Sequence, residues 1–151
     1  MKNAIGGRFG GYGLYLQDGR PWYTYNWVGL KEYTIAASTP VPAGKATIRF
    51  EFAYDGGGFG MGGTGTITVN GQKVAEGRIE HTNANMFSGD EGADVGMDRE
   101  TPVTENYKEH DNQFTGKIDA VTVRLGAMKA EDQDGAQKAV KEASRRKVLS
   151  D

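Results

Sequence analysis

The feature that most constrains this chain is a glycine-rich run that follows an alternating segment. Residues 46–54 alternate between two faces, and the apolar face carries Ala46, Ile48, Phe50, Phe52 and Tyr54. Directly after this strand pattern, seven of the ten residues 56–65 are glycine. Glycine adopts positive φ freely and lets a second backbone or a ligand approach closely. The run therefore predicts a long strand-to-strand connection whose first residues face a partner or ligand: Gly56, Gly57, Gly58, Phe59 and Gly60.

The same run contains a G-x-G-x-x-G match at Gly58, Gly60 and Gly63. In a dinucleotide site this motif must lead into a helix, because the helix N-terminus holds the pyrophosphate. Here it leads into residues 66–69, which have a strand pattern, and then into a turn. A nucleotide site is therefore excluded by the context of the motif.

Two hairpin signals and several short strands predict an all-β fold. Asp18-Gly19 and Asn70-Gly71 each separate two strand-like runs, and both pairs suit a two-residue turn with positive φ. The predicted strands span residues 12–17, 22–27, 33–37, 46–54, 66–69, 72–79 and 118–125. In the last of these, Val121, Val123 and Leu125 share a face. We predict an antiparallel β-sandwich of jelly-roll or concanavalin/laminin-G-like type over residues 1–126.

Two stretches lack a strand pattern. Between Glu80 and Gly116 the periodicity disappears, which is typical of a functional or packed loop, or of strands that the pattern does not show. Residues 127–151 form a charged tail. Asp134 and Gln137 predict a capped helix from Ala136 to Leu149.

Composition excludes several classes of protein. The net charge of −2 and the pI of about 5.7 favour neither nucleic acid nor a membrane surface as partner. The chain has no cysteine, which excludes disulfides and thiolate metal sites. Residues 1–15 contain no signal-peptide pattern, and no apolar run approaches the roughly 18 residues of a membrane span. The expectation is a soluble protein, cytoplasmic by default, with its compartment undetermined.

The residues offer little for catalysis. There are four serines and two histidines, His81 and His110, and no nucleophile-elbow sequence surrounds Ser88. We therefore predict no enzymatic activity and no cofactor. Asp90, Asp94 and Asp98 lie in a glycine-containing acidic stretch and could hold calcium, although their spacing is not that of an EF-hand. The alternative is a solvated acidic loop.

Trp22 and Trp27 belong to an aromatic-rich run whose alternate residues face opposite sides of a strand. One of the two sets belongs to the core. The other is exposed for stacking on a sugar, or is covered by the glycine-rich loop or by a partner; core packing alone also accounts for the aromatic residues.

Many short segments together resemble the C-terminal region of bacterial arylsulfatases of the formylglycine-dependent type. The resemblance runs from about residue 5 to Gly126 and is carried, in order, by segments 6–15, 23–30, 42–45, 49–52, 54–58, 74–79, 87–91, 94–96, 101–103 and 114–118. It implies a non-catalytic module that packs on, or acts with, a sulfatase catalytic domain. The tail after Gly126 lies outside the resemblance.

The resemblance does not imply sulfatase activity in this chain. The catalytic motif of that family is C-x-P-x-R or S-x-P-x-R, and the nearest string here, residues 38–42, lacks the arginine. The alternative is a free-standing, lectin-like carbohydrate-binding module. A sulfated ligand would require a cation near the loops, and Arg8, Arg20 and Arg99 are available. We also predict an exposed apolar patch near residues 12–27 and 56–65, which would bind the catalytic domain or form a homo-oligomer.

Overall fold

The computed structural model of the chain describes residues 2–84, 93–99, 101–108 and 112–127, together with residues 134, 137, 138, 141 and 145. Nearly all regular structure in this part is β-strand. The strands are β1 (Lys2–Gly7), β2 (Gly10–Gln17), β3 (Arg20–Trp27), β4 (Lys31–Ala36), β5 (Ile48–Tyr54), β6 (Gly63–Val69), β7 (Gln72–Ile79) and β8 (Ala93–Val95). Residues 134, 137, 138, 141 and 145 of the tail are helical and exposed. No helix in the described ranges is long and apolar enough to cross a bilayer.

The strands form two antiparallel sheets that pack face to face, which confirms the predicted all-β sandwich. The first sheet has the order β4-β3-β2-β1-β8, and the second has the order β5-β6-β7. Both predicted two-residue turns are present. Asp18 and Gly19 have φ of 51° and 72°, and Asn70 and Gly71 have φ of 51° and 84°. These values place both residues of each turn in the left-handed region that a type I′ hairpin requires.

The core lies between the sheets and is dominated by aromatic and β-branched side chains. Tyr23 of β3 stacks on Phe50 of β5 with 3.4 Å between ring centroids and 7° between planes. The buried residues of the cluster are Tyr23, Tyr25, Tyr33, Ile35, Ile67 and Ile79. Burial of each of these isoleucine side chains contributes about 1.5–3 kcal/mol. Burial also raises the pKa of the Tyr23 phenol well above its usual value, so this ring remains neutral in the folded protein.

The other face of the first sheet is also covered. Residues 101–108, which we call the covering segment, lie against the face that carries Tyr15 and Asn26. Asn26 donates from Nδ2 to the carbonyl oxygen of Val103 at 2.9 Å, and Asn106 donates to the Tyr15 hydroxyl at 2.9 Å. The covering segment belongs to the stretch without periodicity, so of the alternatives left open there, a packed loop describes this part.

The structure differs from the predicted strands in three places. β1 and β8 were not predicted, because their glycines and short length leave no alternation. The strand predicted over residues 118–125 is wrong: this segment has no strand pairing, and Leu125 is 91% exposed. The glycine-rich connection is shorter than predicted, because β6 begins at Gly63.

Candidate functional site

Four connections meet at one end of the sandwich, which we call the loop end: residues 8–9, 28–30, 55–62 and 80–84. Neighbouring connections at this end contact one another. A Cβ built on Gly29 would lie 3.3 Å from the carbonyl oxygen of Arg8. The rings of Trp27 and His81 stack with 4.7 Å between centroids. Thr82 then donates its hydroxyl to the carbonyl oxygen of Met61 at 2.7 Å.

The loop end exposes large apolar side chains from three of its four connections. Phe9 is 72% exposed and Leu30 is 76% exposed. Val28, Phe59 and Met61 are exposed to a lesser degree. Single exposed apolar residues are normal on a protein surface, but a group at one end is typical of an interaction site. The group lies beside the aromatic hairpin and the glycine-rich loop, where the sequence predicted an apolar patch.

The turn from Trp27 to Leu30 is strained. Leu30 donates its N–H to the carbonyl oxygen of Trp27 at 2.9 Å, and Val28 and Gly29 have φ of 47° and 72°. A β-branched residue in this left-handed region is a genuine outlier, and such strain is concentrated at functional sites. The side chain of Asn26 holds the turn by accepting the Gly29 N–H at 2.8 Å. The turn therefore places an exposed valine where asparagine or glycine would be less strained.

The glycine-rich loop is closed at its base. Arg78 donates two hydrogen bonds to the carboxylate of Asp55, at 3.0 and 2.7 Å, and the Asp55 N–H donates to the carbonyl oxygen of Gly62 at 3.0 Å. The Arg78 guanidinium lowers the pKa of the Asp55 carboxyl below its usual value. Within the loop, the Tyr54 hydroxyl donates to the carbonyl oxygen of Gly58 and accepts the Met61 N–H at 3.1 Å. Phe59 and Met61 are thus presented by an anchored loop.

A cleft of about 500 Å³ opens beside the strained turn. Its walls are the turn at Arg8, residues 29–32 and the covering segment. Its charged lining residues are Arg8, Lys31, Glu32, Glu105 and Lys108. The ammonium group of Lys31 also lies over the Tyr33 ring, 5.0 Å from its centroid, which is within the range of a cation–π contact.

Buried and partly buried hydrogen bonds fix the walls of the cleft. Asn26 bridges two of them, because its amide donates to the carbonyl oxygens of Arg8 at 3.1 Å and Val103 at 2.9 Å. The Thr104 hydroxyl donates to the Glu32 carboxylate at 2.8 Å. Tyr107 donates its hydroxyl to Asp98 at 2.6 Å. Burial first, and then the neighbouring Asp98 carboxylate, raise the pKa of Tyr107 far above its usual value, so the phenol remains a donor.

Trp22 and Trp27 do not form one aromatic platform, because they lie on opposite faces of β3 and both are partly buried. Trp22 stacks on Tyr15 on the covered face, with 6.3 Å between ring centroids. Trp27 faces the second sheet and stacks on His81. Of the two, only Trp27 adjoins the loop end.

The acidic residues predicted for calcium have separate hydrogen bonds where they are described. Asp94 accepts the Arg99 N–H at 2.8 Å. Asp98 is buried and accepts the Val103 N–H at 3.1 Å in addition to the Tyr107 hydroxyl. Asp90 lies outside the described residues, as does His110. In the described ranges no group of three His, Cys, Asp or Glu side chains could hold a metal ion. Calcium binding stays a prediction from the sequence.

The sequence indicated parts of this site and missed others. Arg8 and the glycine-rich loop were predicted to face a partner or ligand, and both lie at the loop end. Leu30, Lys31 and Lys108 were missed as site residues. Gly29 could have predicted the turn, because glycine suits its second position. Valine is not typical of the first position, so the pair Val28-Gly29 gives no clear turn signal. Lys108 carries no local signal, since folding of the covering segment alone brings it to the cleft.

Comparison with known proteins identifies no relative: no protein-family model matches the chain, and no curated protein or solved structure matches it significantly.

Proposed function

We propose that this chain is a non-catalytic module that docks on a sulfatase catalytic domain through its loop end. The observation that carries the proposal is the strained turn at Val28-Gly29, which displays Val28 and Leu30 next to Phe9. The likeness of the sequence segments to arylsulfatase C-terminal regions supports the choice of partner. The comparisons with known proteins add no support to that choice.

The exposed surface of the loop end is unfavourable for the free chain. A β-branched residue at positive φ and exposed phenylalanine and leucine side chains all reduce the stability or solubility of the free chain. Docking would remove these apolar groups from water and yield about 25 cal/mol per Å² of buried apolar surface, reduced by the entropy lost on association. Gly56, Gly57, Gly58 and Gly60 let the adjoining loop lie close to the backbone of a partner.

The first prediction tests docking directly. The probe is the purified catalytic domain of a formylglycine-dependent arylsulfatase from which its own C-terminal region has been removed. We expect the chain to bind it in calorimetry. We expect Leu30→Ser to weaken binding at least about tenfold, since burial of a leucine side chain yields about 1.5–3 kcal/mol and about 1.4 kcal/mol is tenfold in affinity. Without the catalytic domain, the chain should hydrolyse no aryl sulfate.

Leu125→Ser is the matched control, because Leu125 is 91% exposed but lies outside the loop end. The control should bind as tightly as the unaltered chain. The proposal fails if the unaltered chain does not bind the catalytic domain, or if the two serine variants weaken binding equally.

A further inference from the structure

We infer that the cleft beside the strained turn binds a sugar that carries a single anionic group, a sulfate or a carboxylate. This inference concerns a ligand of the chain itself and goes beyond the proposed docking function. The cleft has walls from three separate parts of the sequence, and its volume of about 500 Å³ lies within the roughly 300–1,000 Å³ typical of small-molecule sites.

The cations of the cleft indicate the charge of its ligand. Arg8, Lys31 and Lys108 line it, and among the described residues none of the three has an ion-pair partner. Ion pairs in the described ranges instead involve five other cations: Lys45, Arg49, Lys73, Arg78 and Lys117. Three cations that lack an ion-pair partner within the described ranges surround one cleft in a chain of net charge −2, which favours an anionic ligand.

The geometry of an arginine side chain suits a planar or tetrahedral anionic group. The planar guanidinium of Arg8 can donate two parallel hydrogen bonds to a sulfate or carboxylate group. Lysine adds charge without fixed direction. The combination suits one anionic group held by Arg8 with nearby lysines.

Two carboxylates in the cleft favour a ligand that carries hydroxyl groups and only one anionic group. Glu32 and Glu105 line the same cleft. Carboxylates accept hydrogen bonds from sugar hydroxyls, and they repel a second anionic group. Inorganic anions would satisfy the cations but offer no hydroxyl group to these carboxylates, and a polyanionic chain would bring further anionic groups against them.

Hydrogen bonds preorganise the walls of the cleft. The Asn26 amide holds the Arg8 and Val103 carbonyl oxygens, and the Thr104–Glu32 hydrogen bond joins the covering segment to β4. Walls that are fixed before binding reduce the ordering cost of association.

The experiment titrates the isolated chain, so its result does not depend on whether the chain docks on a sulfatase catalytic domain. The four probes are galactose 6-sulfate, galacturonate, galactose and inorganic sulfate. Binding of each probe is measured by calorimetry and by changes in the amide NMR shifts of the chain. We expect at least one anionic sugar to bind at least tenfold more tightly than galactose and than inorganic sulfate. The anionic sugar that binds more tightly shows whether sulfate or carboxylate is the preferred group. The changes in amide NMR shift should centre on residues 29–32 and 101–108.

Lys108→Gln should weaken binding of the preferred sugar at least fivefold. Lys45→Gln is the matched control, because Lys45 is an exposed lysine paired with Asp119 at 3.1 Å, away from the cleft lining, and it should leave binding unchanged. Both variants remove an exposed charge, so both should keep the NMR fingerprint of the fold. The inference is overturned if neither anionic sugar binds, if galactose or inorganic sulfate binds equally well, or if the two variants behave alike.

Discussion

Asn26 shows how one side chain connects sequence to site. Its position on β3 directs it to the face opposite Tyr25 and Trp27, where an unsatisfied amide would be costly to bury. Its hydrogen bonds described above go to Arg8 and Gly29 of the loop end and to Val103 of the covering segment. The strained turn and the cleft therefore share one anchor.

The conformation of Val28 leads to the second prediction, which separates stability from function. Asparagine tolerates the left-handed region, which costs most other residues roughly 1–2 kcal/mol. We therefore expect Val28→Asn to raise the free energy of unfolding by up to about 1 kcal/mol in urea denaturation. The same variant should bind the catalytic domain more weakly, because it loses an exposed apolar contact.

Val28→Thr is the control for that prediction, since threonine is β-branched like valine and relieves no backbone strain. Its stability should stay within about 0.5 kcal/mol of the unaltered chain. A destabilising Val28→Asn would contradict the assignment of strain to this turn.

At the scale of elements, the two sheets approach closely where glycines face an isoleucine. Gly65 of β6 and Gly77 of β7 are directly paired, and Ile35 of β4 lies over both. A Cβ added to Gly77 would lie 2.8 Å from Ile35 Cγ1 and 3.3 Å from its Cδ1. These glycines thus provide space for packing.

The third prediction follows from this contact. Gly77→Ala should lower the free energy of unfolding by about 1–3 kcal/mol, the usual cost of overpacking a core. In an Ile35→Ala background the same change should cost much less, because the opposing atoms are gone. The difference between the two costs, measured by urea denaturation as a double-mutant cycle, is the coupling energy.

Gly126→Ala is a suitable control, because an added Cβ there would meet nothing within 4 Å. It should change stability by less than about 0.5 kcal/mol. Equal costs of Gly77→Ala in both backgrounds would show that Ile35 does not cause the penalty.

The elements that the sequence revealed are those with local signals. Asp18-Gly19 and Asn70-Gly71 define their hairpins through their own backbone preferences, and residues 48–54 alternate because one face meets the core. The covering segment gave no such signal. Its order depends on distant partners, such as Asn106 with Tyr15 and Thr104 with Glu32. Local patterns cannot predict these contacts, and the cleft depends on them.

At the scale of the whole molecule, the first sheet is a middle layer. One of its faces packs on β5–β7, and the covering segment lies on the other. Alternation in β3 is consequently weak, since Thr24 and Asn26 are buried as well as Tyr23 and Tyr25. This arrangement also explains why both sets of aromatic residues in the hairpin are at least partly covered without forming a common stacking platform.

The segment from residue 118 to 125 gives the last prediction, because here the sequence pattern and the structure disagree. Alternation of Val121, Val123 and Leu125 predicted a strand with one buried face. In the structure Val123 is 54% exposed and the segment has no strand pairing. A nearby contact, the ion pair between Asp119 and Lys45 at 3.1 Å, is exposed and contributes about 0–1 kcal/mol.

Val123→Lys distinguishes the two arrangements. For an exposed side chain we expect a change within about 0.5 kcal/mol in the free energy of unfolding, whereas a lysine placed in a packed strand would cost more than about 3 kcal/mol. Ile67→Lys is the buried reference, because Ile67 of β6 is 0% exposed, and it should prevent folding or destabilise severely. Urea denaturation followed by tryptophan fluorescence measures both variants. A loss of several kcal/mol in Val123→Lys would show that residues 118–125 pack as a strand after all.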